Sequence, residues 1–296
     1  MSFYLVAGTG APTTPADARD HLPTTRPRRY PSDTTDTEWA VIAPLIPTGT
    51  PGPRGGRRPT RSRRDIVDAI RYLVHNGGVW RALPVDFPPW KTVYHYHARW
   101  AADGTLTRLH HTLRERVRAT EGRHREPTAA IIDSQSVRAA ETVPRTSRGY
   151  DAGKKINGRK RHIAVDTIGL LLVVAVTTAS VQDRVAGRAL LIALRGCHQH
   201  LRLVWADSAY LGTFVDLAAR LRITARIVAK LAGQIGFHVL PRRWVVERTL
   251  AWISRHRRTV RDYERLPAHH AAIVYWSMTI IMSRRLAHTQ PQPQTT

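Results

Sequence analysis

The 296-residue sequence has a single cysteine, Cys197, which rules out an internal disulfide and a cysteine-rich zinc centre. Long apolar runs are missing as well. The longest, Gly169 to Val176, falls far short of the roughly 20 residues a membrane helix needs. Met1 to Gly10 has neither a basic start nor an apolar core, so no signal peptide is predicted. Acidic residues are scarce, 22 against 46 basic ones, and the formal net charge is +24. Lysine is scarce too, 5 against 41 arginines. A chain so basic repels itself unless a polyanion neutralises it, and arginine forks onto phosphate and guanine edges, so nucleic acid is the leading partner. An arginine-rich codon bias accounts for part of the same excess. The cysteine count fits a reducing cytosol, and the expected location is the cytoplasm, at the nucleoid.

What is present divides into segments. Residues 1–32, rich in Pro, Thr, Arg and Gly and without periodicity, read as a disordered basic leader. Thr35 or Asp36 can cap a helix through Leu45. Pro47 to Arg64 reads as an exposed basic linker. Helical spacing over Arg64 to Asn76 stops at Gly77-Gly78, and Trp90 to Ala102 and Thr105 to Arg118 repeat that spacing. Residues 33–120 are therefore predicted to be an all-helical DNA-binding domain, compatible with a helix-turn-helix. Trp80, Trp90 and Trp100 are read as core side chains rather than base-stacking ones. After Pro127 the pattern changes. Short apolar strands at Thr128–Asp133, His162–Asp166, Leu170–Thr178, Leu201–Ala206 and Ile223–Val228 are separated first by a hairpin turn, then by helices over 185–195 and 210–221. Helices over 241–257 and 268–286 close the chain. This order predicts an α/β domain over 127–287: a mixed five-stranded sheet flanked by helices, as in ribonuclease-H-like folds. Residues 288–296 are expected to be a flexible tail.

Three carboxylates stand out by position. Asp133 and Asp207 each close a predicted strand, and Glu247 lies in a helix. Ligands of open α/β sheets gather at strand ends, so two such Asp can face one another, and a helix across those ends can add the third carboxylate. That set suits two Mg²⁺ ions, which prefer hard oxygen ligands and catalyse in-line displacement at a phosphodiester. Mn²⁺ suits the same ligands. Arg243, one helical turn before Glu247, can orient it or clamp a phosphate. For any single strand-end Asp the competing reading is a turn or helix cap, as expected for Asp166 and Asp183.

From Pro31 to Leu286 the sequence resembles IS5-group transposases of the IS4-like DDE superfamily. The likeness rests on Thr37-Glu38-Trp39, Gly78-Val79-Trp80-Arg81-Ala82-Leu83-Pro84 and Pro88-Pro89-Trp90-Lys91-Thr92-Val93-Tyr94 in the N-terminal part. In the C-terminal part it rests on Ile131-Ile132-Asp133-Ser134-Gln135-Ser136, Gly158-Arg159-Lys160-Arg161-His162, Trp205-Ala206-Asp207 and Arg243-Trp244-Val245-Val246-Glu247-Arg248. The resemblance implies Mg²⁺-dependent DNA cleavage and strand transfer, recognition of terminal inverted repeats and of target DNA, and homo-oligomers on DNA. The chain departs from relatives at Ala209, where many carry glycine. It also has Leu240 and Ser254 where a tyrosine and a lysine are usual.

A loop carrying Lys154, Lys155, Arg159, Lys160 and Arg161 is expected to track DNA phosphates, with Arg255, Arg257 and Arg258 extending the basic surface. A solvated charge run is the bland alternative. Two rival functions stay open: a ribonuclease-H-like nuclease without strand transfer, and a catalytically inactive relic that still binds DNA.

Overall fold

The computed structural model describes residues 4–5, 21–48, 60–228 and 243–289. The N-terminal part holds α1 (Asp36–Ile42), α2 (Arg63–Asn76), α3 (Trp90–Ala102) and α4 (Thr105–Thr120), preceded by β1 (Tyr4–Leu5). Thr35 caps α1 through a reciprocal capping box with Glu38, which satisfies two amides at the helix start. Gly77, at a φ of 76°, ends α2 in a conformation that side chains rarely adopt.

The C-terminal part runs β2 (Ala129–Arg138), β3 (Gly149–Asp151), β4 (Ile156–Val165), β5 (Leu171–Thr178), α5 (Asp183–Cys197), β6 (Leu203–Asp207), α6 (Thr213–Arg220) and β7 (Thr224–Val228). It ends with α7 (Arg243–Ser254), α8 (Arg257–Val260) and α9 (Pro267–Thr289). The sheet order is β1-β5-β4-β2-β6-β7, with β3 added on β4. β4 is antiparallel to β2 and β5, whereas β6 and β7 run parallel to β2. The five central strands thus form the expected mixed, ribonuclease-H-like sheet. The hairpin between β4 and β5 and the helical crossovers to β6 and β7 produce this mixture of directions.

Side-chain alternation sorts the sheet into two layers. Ala130, Ile132, Ala164 and Val173 point toward α5 and α6. Ile131, Ile163, Val165 and Val174 point to the opposite face, where they join a cluster that includes α7, α9 and the helices before residue 120. α9 is buried nearly all round, between the sheet and the N-terminal helices. The two parts therefore share one continuous apolar core.

Several expected boundaries move. Residues 21–32 are ordered: Arg26 is buried and pairs with Asp33 at 2.7 Å, so charge pairing rather than apolar content fixes this stretch. β2 does not stop at Asp133 but runs on to Arg138, because β4 pairs with it throughout. β4 begins at Ile156, so Arg159, Lys160 and Arg161 belong to a strand and not to a loop. α9 continues through His288 and Thr289; the rest of the expected tail, residues 1–3 and 6–20 of the leader, residues 49–59 of the linker, Leu240 and the predicted helix start at Pro241 lie outside the described residues. Among the described residues, no helix is long and apolar enough to cross a membrane.

Candidate active site

Two of the three carboxylates come together through strand register. β2 and β6 are parallel with Ile131 opposite Trp205, and two residues further on the same register sets Asp133 beside Asp207. Neighbouring strands lie about 4.8 Å apart and both residues keep the parity of Ile131, so both side chains face α7. Pairing between β2 and β6 ceases just before this point, which opens the sheet between the two acids. The backbone shapes each carboxylate locally. The Ser134 N–H donates to Asp133 Oδ1 at 2.7 Å, and the Ala209 N–H donates to Asp207 Oδ1 at 3.0 Å.

Burial pushes the Asp133 carboxyl up to about 6, and the negative Asp207 acts in the same direction. The Ser134 amide, Arg243 and Lys154 oppose them. A carboxyl held this way gains from any cation that can enter.

Glu247 reaches the pair through Arg243. The Arg243 guanidinium lies 3.9 Å from Asp207 Oδ2 and 3.8 Å from Glu247 Oε1. It is thus the positive group that links the strand-end acids to the helix. The Glu247 side chain is 49% exposed, so it is free to swing. Among the described residues, no three His, Cys, Asp or Glu side chains enclose a metal position as they stand. The donor set nevertheless fits a divalent ion: it is all carboxylate oxygen, it is mutually repelling, and a cationic side chain already sits among its members.

α7 is held over the sheet by the β4–β5 hairpin. Thr249 Oγ1 donates to the Gly169 carbonyl at 2.7 Å, and Arg248 Nη2 donates to the Ile168 carbonyl at 3.0 Å. Gly169 has φ 87°, and a β-carbon there would lie 2.9 Å from Thr249 Oγ1, so only glycine allows this approach. Arg248 is also sandwiched between Trp244 and Trp252, at 4.5 and 4.6 Å from the ring centroids. Asp166, expected as a turn residue, is one: it accepts amides from Ile168 and Leu170 and pairs with Arg118 at 2.5 Å. Asp183 opens α5 as its first residue and lies 3.1 Å from Lys160 Nζ.

The expected DNA-contacting residues separate into two groups. Lys154, Lys155, Arg255 and Arg257 are exposed. Lys154 Nζ donates to the Ser134 carbonyl at 3.3 Å, beside Asp133, and Lys155 adopts a left-handed φ of 53° in the same turn. Arg159, Lys160, Arg161 and Arg258 are buried, and the expectation that they track phosphates is corrected. Arg159 donates to Asp262 at 2.9 Å and to two loop carbonyls. Arg161 donates to Gln135 and to the Thr259 carbonyl. Lys160 faces the other side of the sheet, against Asp151 and Asp183. Arg258 pairs with Glu264 at 2.7 Å. Extending β4 back to Ile156 draws Arg159, Lys160 and Arg161 into the interior, where only paired charges are tolerated. Sequence reading missed Asp262 and Gln135, the partners that make this possible, because each meets its cation only across the fold, Asp262 from about a hundred residues downstream and Gln135 from the neighbouring strand.

The two exposed lysines yield a prediction. Replacing Lys154 and Lys155 by Ala should flatten the dependence of log K for duplex DNA on log salt by up to about 1.8, since each phosphate contact contributes ~0.9. Anisotropy titrations between low and moderate salt measure this, and an unchanged slope rejects the assignment.

An acidic opening between the central parallel strands of a ribonuclease-H-like sheet defines a class of enzyme that acts on nucleic acid. Comparison with known proteins narrows the class. Residues 124–282, more than half of the chain, match the family described as "Transposase DDE domain", and residues 34–110 match "Putative transposase of IS4/5 family (DUF4096)". The "Putative transposase for insertion sequence element IS402" of Burkholderia cepacia is 34% identical over 151 residues, covering 49% of this chain and 69% of that protein. The "Uncharacterized protein y4sN" of Sinorhizobium fredii (strain NBRC 101917 / NGR234) is 29% identical over 129 residues, covering 40% of this chain and 94% of that protein. The chain belongs to the IS4/5-type DDE transposases, enzymes that act on DNA. Such domains generally use divalent metal ions.

Proposed function

We propose that this transposase binds the terminal inverted repeats of its insertion sequence, cuts DNA at the element ends and joins the freed 3′-hydroxyl to target DNA. The observation that carries this reading is the parallel register that puts Asp133 beside Asp207 under the helix bearing Glu247 and Arg243. Asp133, Asp207 and Glu247 would hold two Mg²⁺ ions, or Mn²⁺ in their place, and bound metal supplies activation of the attacking oxygen and stabilisation of the leaving one. The protein's own share is positional. The two strand-end acids are fixed by backbone amides and by sheet geometry. Arg243 neutralises Asp207 and Glu247 and is placed to take a phosphate oxygen when the cations enter. Lys154, Lys155, Arg255 and Arg257 give the DNA backbone a basic track, and the exposed Lys91, His95 and Arg99, one turn apart along α3, give it another.

Synapsis of two element ends calls for at least two subunits, so a homo-oligomer on DNA is part of the proposal, with a location at the nucleoid. The test is a strand-transfer assay with a labelled fragment carrying the element end and a supercoiled target. Joined products should form with Mg²⁺ and vanish with chelator. Cleavage without joining favours the nuclease reading, and repeat-specific binding without either reaction favours the inactive relic.

A further inference from the structure

Between the start of α3 and the loop after α8 lies an open cavity of about 320 Å³, within the range of small-ligand pockets, ~300–1,000 Å³. Its lining includes four flat rings: Trp80, Trp90 and Tyr94 from the start of α3 and the turn before it, and Tyr263 from the loop after α8. The Trp80 ring is wedged edge-on against Tyr94 at 5.2 Å and leans on the core. Trp90 stands outside both apolar clusters and is half-buried, while Val79 and Tyr263 are exposed. No fold requirement explains leaving two rings and a valine open at one spot.

The rim is cationic. Arg81 lies 5.5 Å from the Trp90 ring centroid and Lys91 5.9 Å from it, and the exposed Arg265 joins the lining. Among the described residues the one carboxylate in the lining, Glu264, is already committed to Arg258 at 2.7 Å. Arg258 also donates to the Gly78 carbonyl and lies 5.1 Å from the Tyr263 ring, which ties the two segments together.

Location matters as much as composition. Arg159 of β4 stands opposite Val137 and donates to the Arg265 carbonyl at 3.0 Å. The cavity's loop therefore docks on the same sheet face as Asp133, four residues further along β2, or roughly 14 Å at ~3.4 Å per residue. The exposed Lys91, His95 and Arg99 lead away from the cavity along α3.

We infer that this cavity is a nucleobase site, which takes one unstacked base of the DNA substrate between the Trp90 and Tyr263 rings while Arg81 and Arg265 hold its flanking phosphates. A π-face accepts any base, and a cationic rim favours a polyanion over an apolar protein segment. A base turned out of its stack within reach of the acidic opening would fix the DNA's register there. The site rests on the transposase reading, because it needs DNA as the ligand.

The test uses the full chain without divalent metal, a labelled ten-nucleotide oligo-dT and a 20-base-pair duplex, read by anisotropy. Trp90→Ala should weaken oligo-dT binding about tenfold, the scale of one stacked base, and leave duplex binding within about twofold. Trp90→Phe should restore it. Tyr263→Ala, on an exposed loop, should reproduce the loss if Trp90→Ala fails to fold. Unchanged oligo-dT affinity in the folded variants overturns the site, and so does an equal loss for both probes. Dissociation of oligomers by Trp90→Ala with oligo-dT affinity intact assigns the cavity to a second copy of the chain and equally overturns it. Duplex binding that persists in any of these cases leaves the transposase reading standing. A wild-type chain that binds neither probe removes both.

Discussion

Asp133→Asn is expected to cut DNA cleavage and strand transfer by at least about a thousandfold, some 4 kcal/mol of transition-state stabilisation. The isostere keeps the shape of the side chain but removes the charge that a divalent ion would neutralise. Folding should not suffer. The Asp133 side chain accepts one backbone amide, from Ser134, which an Asn oxygen also accepts. Burial already pushes the carboxyl up to about 6, so a neutral group is tolerated there at least as well as an ionised one. The informative result is the combination: a melting temperature no lower than that of the native chain, and no joined product in a Mg²⁺ assay. A folded variant with full activity would remove Asp133 from the chemistry. Asp207→Asn and Glu247→Gln should behave alike in activity if the three work as one unit, with losses that do not add when combined.

The largest expected effect on stability comes from a residue outside the candidate site. Asp262 is completely buried, accepts from Arg159 at 2.9 Å and from the Glu264 amide at 2.8 Å, and lies 3.1 Å from His270 Nδ1. Its backbone pairs with the chain just past β2. Asp262→Asn leaves the buried Arg159 without its counter-charge, and breaking one side of such a pair costs about 3–5 kcal/mol. Thermal melts at pH 7 should fall by on the order of 10 °C. The pH dependence has a definite sign. Burial alone would raise the Asp262 carboxyl, but His270 and Arg159 outweigh it and hold it down to about 2. A depressed acid contributes stability above its unfolded value near ~4 and loses it as pH falls from there toward 2. The gap between native and variant melting temperatures should therefore be full at pH 7 and shrink below pH ~4. A loss smaller than about 1 kcal/mol at pH 7 would show that Asp262 is not the anchor of this region.

These two residues mark what is legible in the sequence and what is not. Asp133 and Asp207 could be picked out because each closes a short apolar run, and such a run is a local property that survives in one dimension. The central strands and most helices were legible for the same reason, with Trp90 to Ala102 predicted at the bounds observed. Strand ends were less so. β2 extends into polar sequence because every residue there finds a backbone partner on β4, 20 or more positions away, and the polar start of β4 is completed by β3 as well. The helical N-terminal part was legible as helices, but its sharing of a core through α9 was not, since an apolar stripe does not name the surface it will cover.

The amino-acid sequence by itself determined the polarity of the partner and the apolar runs that build the sheet, and it singled out the candidate acids, because charge and hydropathy are properties of short stretches. Tertiary structure alone decided which cations remain available. Arg159 and Arg161 vanish into the interior against Asp262 and Gln135, whereas Lys154 and Lys155, a few residues earlier, stay in solvent. The difference is set by partners that arrive from over a hundred residues downstream and from the neighbouring strand, and burying a charge is feasible only where such a partner meets it.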